Sequence, residues 1–237
     1  MTLSSELYPD IIEAINVWRT YRPGTNQEVN ALRGVNLIVE KPSVVAIKGR
    51  SGSGKTTLLN CIGGLDQPTN GRISVFGQNM ATMDDWQLTT FRRKYVGFIF
   101  QSFGLNPSFS AFENVDIMLR IAGNSNLECR ERSMFCLELV GLTKWRHHRP
   151  DELSGGQQQR IAIARSLANH PRLILADEPT GDLDSTTTKD ILALFRRIVE
   201  EEQVTLLISS HDPIIDQYAD QVLHLSDGAL EDDPKMN

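Results

Sequence analysis

The stretch Val44-Val45-Ala46-Ile47-Lys48-Gly49-Arg50-Ser51-Gly52-Ser53-Gly54-Lys55-Thr56 decides the fold. Four apolar residues run straight into the spacing G-x-x-x-x-G-K-S/T, and Leu58, Leu59, Ile62 and Leu65 follow at helical intervals. That order predicts a buried strand, a glycine-rich turn and a helix carrying all four leucine and isoleucine residues. Glycines let the backbone wrap closely around oxygens, and the helix N-terminus adds a partial positive charge. The candidate phosphate-binding residues are therefore Gly49, Arg50, Ser51, Gly52, Ser53, Gly54, Lys55, Thr56 and Thr57. Lys55 suits the β- and γ-phosphates of a nucleotide, and the Thr56 hydroxyl suits Mg2+.

Further along the chain, Leu173-Ile174-Leu175-Ala176 and Thr205-Leu206-Leu207-Ile208 read as two more strands buried on both faces, and Val96 to Phe100 as a fourth. Between the first two lies an amphipathic helix from Ser185 to Glu202, with Ile191, Leu194, Phe195 and Ile198 on one face. Strand–helix alternation of this kind predicts a mostly parallel sheet. Asp177 and Glu178 close the strand at Leu173, at the carboxyl end where open parallel sheets bind ligands. Asp177 suits Mg2+, directly or through water, and Glu178 suits a general base facing an attacking water. Ile11 to Val17, Ala31 to Val39 and Arg72 to Phe76 predict a separate N-terminal antiparallel sheet. Residues from Pro107 to Ile163 are helical in pattern and read as an insertion.

The 237 residues suit one large domain, and acidic residues exceed basic ones, 30 against 24, for a formal charge of -6. A nucleic-acid binder needs a basic face to replace counterions, so that class is disfavoured. Three cysteines without a Cys-x-x-Cys pair read as buried thiols in a reducing compartment. No apolar run approaches the ~18 residues of a membrane span. Residues 1–10, with Glu6 and Asp10, lack a leader pattern. Cytosolic placement follows as an expectation. The tail with Glu231, Asp232, Asp233 and Pro234 reads as frayed. Lys144-Trp145-Arg146-His147-His148-Arg149 reads as a solvated basic loop, and His224 as a strand residue.

Leu153-Ser154-Gly155-Gly156-Gln157-Gln158-Gln159-Arg160 precedes another amphipathic helix. Ser154 is placed as its N-cap, and the glycines leave N–H groups open as a second anion site. This octapeptide resembles the signature motif of ABC transporter ATPases. Gly63 to Thr69 and Asp177 to Ser185 resemble the lipoprotein-release and macrolide-efflux branch. The resemblance extends from about Ile11 to Gly228.

That resemblance implies a P-loop NTPase (RecA-like) α/β fold, with a mostly parallel sheet core, an N-terminal antiparallel β subdomain and an inserted helical subdomain. Residues of about 1–105 and 164–237 would form the catalytic core, and 106–163 the helical signature subdomain. Tyr21 is implied to stack on adenine, Gln101 to ligate Mg2+ or its water, His211 to hold the γ-phosphate, and Asp184 to contact the opposite monomer. ATP would lie between Lys55 and its loop on one monomer and Ser154, Gly155, Gly156 and Gln157 on another. The implied partners are a second copy and integral-membrane permease subunits. Such a chain would sit on the cytoplasmic face of the membrane and drive export or extraction.

Ser102-Phe103-Gly104-Leu105 would help line the permease groove. Two departures stand out: Glu40-Lys41-Pro42-Ser43 where relatives carry a Gly-Glu turn, and Arg50 where they commonly carry proline. A chromosome-maintenance ATPase would carry long coiled coils or zinc-bearing insertions between cradle and signature, and neither is present in the sequence. An ATPase that transmits a mechanical or regulatory signal through a permease-like complex remains the alternative.

Overall fold

The computed structural model describes residues 11–231. Residues 1–10 and residues 232–237 of the acidic tail lie outside the described residues. The elements are β1 (Ile12–Tyr21), β2 (Val29–Val39), β3 (Val44–Lys48), α1 (Lys55–Ile62), β4 (Asn70–Val75), β5 (Gln78–Asn79), α2 (Asp85–Tyr95) and β6 (Val96–Ile99). They continue as α3 (Ala111–Ala122), α4 (Asn126–Leu139), α5 (Gly155–Leu167), β7 (Leu173–Asp177), α6 (Ser185–Glu202), β8 (Thr205–Ser210), β9 (Gln221–Ser226) and β10 (Ala229–Leu230).

Two sheets form. The larger has the order β10-β9-β3-β8-β7-β6, parallel except for the edge pair β9 and β10. The smaller, β2-β1-β4-β5, is antiparallel. The continuous apolar runs follow from burial on both faces of the parallel sheet. Val44, Ala46, Ile174, Ala176, Leu206 and Ile208 pack into one core with residues of α3 to α6. Val45, Ile47, Leu173, Leu175 and Leu207 pack into the other, with α1 and the antiparallel sheet. Alternate residues of one strand thus bind the helical layer on one side and the β layer on the other. On α6, Ile191, Leu194, Phe195 and Ile198 are all buried, each contributing about 1.5–3 kcal/mol.

Three readings of the sequence are revised. Helix α1 stops at Ile62, and Leu65 lies beyond it, 48% exposed. Gly63 and Gly64 turn the chain there: a Cβ on Gly63 would sit 2.6 Å from the Phe98 ring, and Gly64 has φ +66°. Strand β6 ends at Ile99, leaving Phe100 in the turn. Helix α5 runs through positions 163 and 164, so the expected subdomain boundary falls inside a continuous helix. Helix α2 was not anticipated, although Asp84 and Gln87 close a capping box at its start.

Candidate functional site

The carboxyl ends of β3, β7 and β8 border a cavity of about 930 Å³. The loop between β3 and α1 forms its floor. The backbone there admits only glycine at two points. A Cβ on Gly49 would lie 2.3 Å from the Leu225 carbonyl oxygen, and one on Gly54, at φ +106°, would lie 2.4 Å from that of Ala31. The loop therefore closes tightly on β2 and β9. Arg50, Ser51, Gly52, Gly54, Lys55, Thr56 and Thr57 line the cavity. Gly49 and Ser53 lie beneath them, and the Ser53 hydroxyl is buried without a partner among the described residues.

Lys55 is 7% exposed at the first position of α1. Its Nζ donates to the carbonyl oxygens of Gly49 at 2.8 Å and Arg50 at 3.2 Å. It also lies 3.3 Å from Glu178 Oε1. Two of the ammonium's three protons go to those carbonyl oxygens, and the Glu178 carboxylate is its ion-pair partner. The other oxygen of Glu178, Oε2, is 2.9 Å from His211 Nδ1. Glu178 has φ +47°, a left-handed conformation that costs a non-glycine residue roughly 1 kcal/mol or more. Its N–H is held by Ser209, by the hydroxyl at 2.9 Å and the carbonyl at 3.2 Å. Those bonds aim the carboxylate into the cavity from the end of β7.

Asp177 joins two elements. Its Oδ2 accepts from the Thr56 hydroxyl at 2.7 Å, and its Oδ1 accepts from Ser209 at 2.6 Å. Gln101 lines the same cavity. Thr56, Asp177 and Gln101 together offer hydroxyl, carboxylate and amide oxygens, the donor set a hard divalent cation takes. Beside them the glycine loop and Lys55 offer what a phosphate needs. Both groups fit the residues present.

The remaining expected residues lie elsewhere on the chain. Tyr21 is outside the cavity lining; its hydroxyl donates to Asp66 at 2.6 Å, and Arg19 lies 4.4 Å over its ring. Burial, then the Asp66 hydrogen bond, push the Tyr21 hydroxyl above its usual pKa. One ring face is thus taken by Arg19. Ser154 caps α5 as expected, and its hydroxyl accepts from the Gln157 N–H at 3.3 Å. The Gln157 side-chain oxygen Oε1 accepts in return from the Ser154 N–H at 3.0 Å. The Ser154 to Gln157 turn does not line the cavity of its own chain. Nor does Asp184, which caps α6. Its carboxylate accepts from Thr186 and Thr187, and the Thr187 bonds hold it below the usual carboxylate range. His147 and His148 are exposed.

Sequence reading missed three contributors. Glu28 to Ala31 and Arg33, from the start of β2 and the turn before it, line one wall. Asp227 and Gly228 line another. Ser209 is the most informative omission. A serine directly after the apolar run of β8, still within the buried strand and two residues before His211, is the visible signal, since its hydroxyl needs a buried partner.

The ABC transporter family profile matches residues 32–181. The uncharacterized ABC transporter ATP-binding protein MJ0796 of Methanocaldococcus jannaschii is 42% identical, over 95% of this chain and 97% of that protein. A macrolide export ATP-binding/permease protein, MacB of Syntrophobacter fumaroxidans, is 45% identical over 94% of this chain but 31% of its own length. The chain thus spans about a third of the length of that relative. A lipoprotein-releasing system ATP-binding protein, LolD of Chromohalobacter salexigens, is 43% identical over 91% of this chain and 90% of its own. Among solved structures, a dimeric post-hydrolysis state of the MJ0796 cassette bound to ADP and Pi superposes with a TM-score of 0.85 at 41% identity, covering 93% of this chain and 97% of that one. The chain therefore belongs to the ABC transporter family, as one of its ATP-hydrolysing cassettes.

Proposed function

We propose that this chain is the ATPase subunit of a permease-coupled motor, working as a head-to-tail homodimer on the cytoplasmic face of a membrane. The carrying observation is the line Lys55–Glu178–His211 beside the Thr56–Asp177 pair, all within one cavity. Macrolide-export and lipoprotein-release relatives support export or extraction of a lipoprotein, peptide or hydrophobic compound. No described helix is long and apolar enough to cross a membrane; in this reading a permease subunit supplies the membrane path. Beside Gln101, a second cavity of about 400 Å³ is lined by Leu65, Phe98, Phe100, Gly104 and Met118. It is the place for that subunit to engage. Phe103 and Leu105 instead pack against the helical core.

In this reading the loop amides and Lys55 grip the ATP phosphates, and Tyr21 offers its free face to adenine. A phosphate draws Lys55 away from at least one of its three present partners. Exchange at Glu178 frees a carboxylate oxygen to take a proton from the attacking water, while His211 holds the other oxygen. Thr56, Asp177 and Gln101 would hold Mg2+, which offsets charge on the transferring phosphoryl group when bound. The Ser154 turn, which does not line the cavity of its own chain, supplies the second phosphate contact to a partner copy. Ile161, Ile163 and Leu167 of the same helix join the helical core, so closing the dimer moves that layer as a body.

The test is Glu178→Gln. Steady-state ATP hydrolysis should stop while ATP binding persists and an ATP-dependent dimer accumulates, measured by phosphate release and sedimentation. Wild-type turnover in that variant overturns the assignment.

A further inference from the structure

The segment after Glu178 carries a charge that hydrolysis leaves unused. Asp182 is exposed, and among the described residues no ion pair or side-chain hydrogen bond ties it to its own chain. Arg50, in the phosphate loop, is likewise exposed and makes no ion pair there, although it lines the cavity. Two exposed opposite charges, neither in an ion pair among the described residues, invite a common explanation.

Packing supplies the geometry. Leu183 Cδ2 lies 3.5 Å from the position of a Cβ on Gly155, and Thr187 Cγ2 lies 2.6 Å from one on Gly156. The 183–187 segment therefore rests against the start of α5. On its other side, the corresponding point on Gly181 is 3.5 Å from Gln101 Nε2. Gly181 to Thr187 thus form a ridge from the cavity rim to the Ser154 turn. In the head-to-tail pair proposed above, that turn faces the partner's phosphate loop. Whatever flanks the turn then flanks that loop as well.

We infer that Asp182 forms an ion pair with Arg50 of the partner subunit. Two-fold symmetry makes two such pairs, one beside each nucleotide. A second copy carries both charges in register, whereas a cassette with an uncharged residue at position 50 cannot complete the pair. The pair acts as a recognition element that favours self-association and suppresses wrong partners. The inference rests on the head-to-tail reading.

Complementation tests it in the Glu178→Gln background. Arg50→Asp and Asp182→Arg are made as separate proteins, and ATP-dependent dimerisation is measured by sedimentation. Each alone opposes like charges at both interfaces and should weaken the dimer by roughly tenfold or more. Mixed together they form a heterodimer in which each interface again joins a carboxylate to a guanidinium, and affinity should return to near the parent's. A mixture no better than either protein alone overturns the pair. So does restoration by Arg33→Asp in place of Arg50→Asp, since Arg33 is the other cation lining the cavity. If Arg50→Asp fails to bind ATP as a monomer, the neutral Arg50→Gln and Asp182→Asn variants replace it in a double-mutant cycle. Non-additive losses then support the pair, and additive ones overturn it. A Glu178→Gln parent that stays monomeric with ATP overturns the head-to-tail reading itself, and the pair with it.

Discussion

Replacing Ser209 with alanine removes one buried hydroxyl that holds both acidic residues of the site. Its Oγ donates to Asp177 Oδ1 at 2.6 Å and accepts from the Glu178 N–H at 2.9 Å. The second bond is duplicated, because the Ser209 carbonyl accepts from the same N–H at 3.2 Å. The first is not, although Asp177 keeps Thr56 on its other oxygen at 2.7 Å. A hydrogen bond to a charged acceptor contributes about 1.5–3 kcal/mol. For a chain of this size that lowers Tm by roughly 3–12 °C. If the same energy is lost from the orientation of Asp177 and Glu178, kcat falls by roughly 10–150-fold. Phosphate release should be followed across a Mg2+ titration, with thermal unfolding measured in parallel. Ser209→Thr keeps a hydroxyl and should recover most of the activity. A Ser209→Ala protein with wild-type kcat and an unchanged Mg2+ requirement would refute the positioning argument, whatever its Tm.

Gly49→Ala should abolish nucleotide binding in a fluorescent-ATP titration, because its methyl would approach the Leu225 carbonyl to 2.3 Å and the loop must open to admit it. Cys61 and Cys136 should resist thiol reagents at pH 8 in the native state and react fully in urea. Burial pushes their pKa values up from 9.0, to about 12 and about 11. The sign follows: this preference for the neutral thiol stabilises the fold fully below pH 9.0 and is lost as pH rises through those folded values. Unfolding midpoints measured from pH 8 upward should fall accordingly.

Much of this architecture was legible because local rules governed it. The run from Val44 to Thr56 identifies strand, loop and helix start by itself, since burial on two faces demands continuous apolar residues and a phosphate cradle demands glycine. Capping boxes at Asp84, Ser110, Ser125 and Ser154 mark the starts of α2 to α5. Only Ser154 was read as a cap, and the Asp84 box is why α2 could have been found. Leu65 kept helical spacing yet left the helix, because the packing of Gly63 against Phe98 lies outside any local window.

The sequence by itself determined the chemistry: which residues can bind phosphate, hold a divalent cation and act as base, because those roles depend on side-chain type and short spacing. Only the tertiary structure decided which of them meet. Thr56 and Asp177 are joined across 121 positions, and Asp177 and Ser209 across 32, by the order β3-β8-β7 in the sheet. The same topology places the Ser154 turn outside its own cavity. Strand order and close packing act at long range, and no local spacing encodes them.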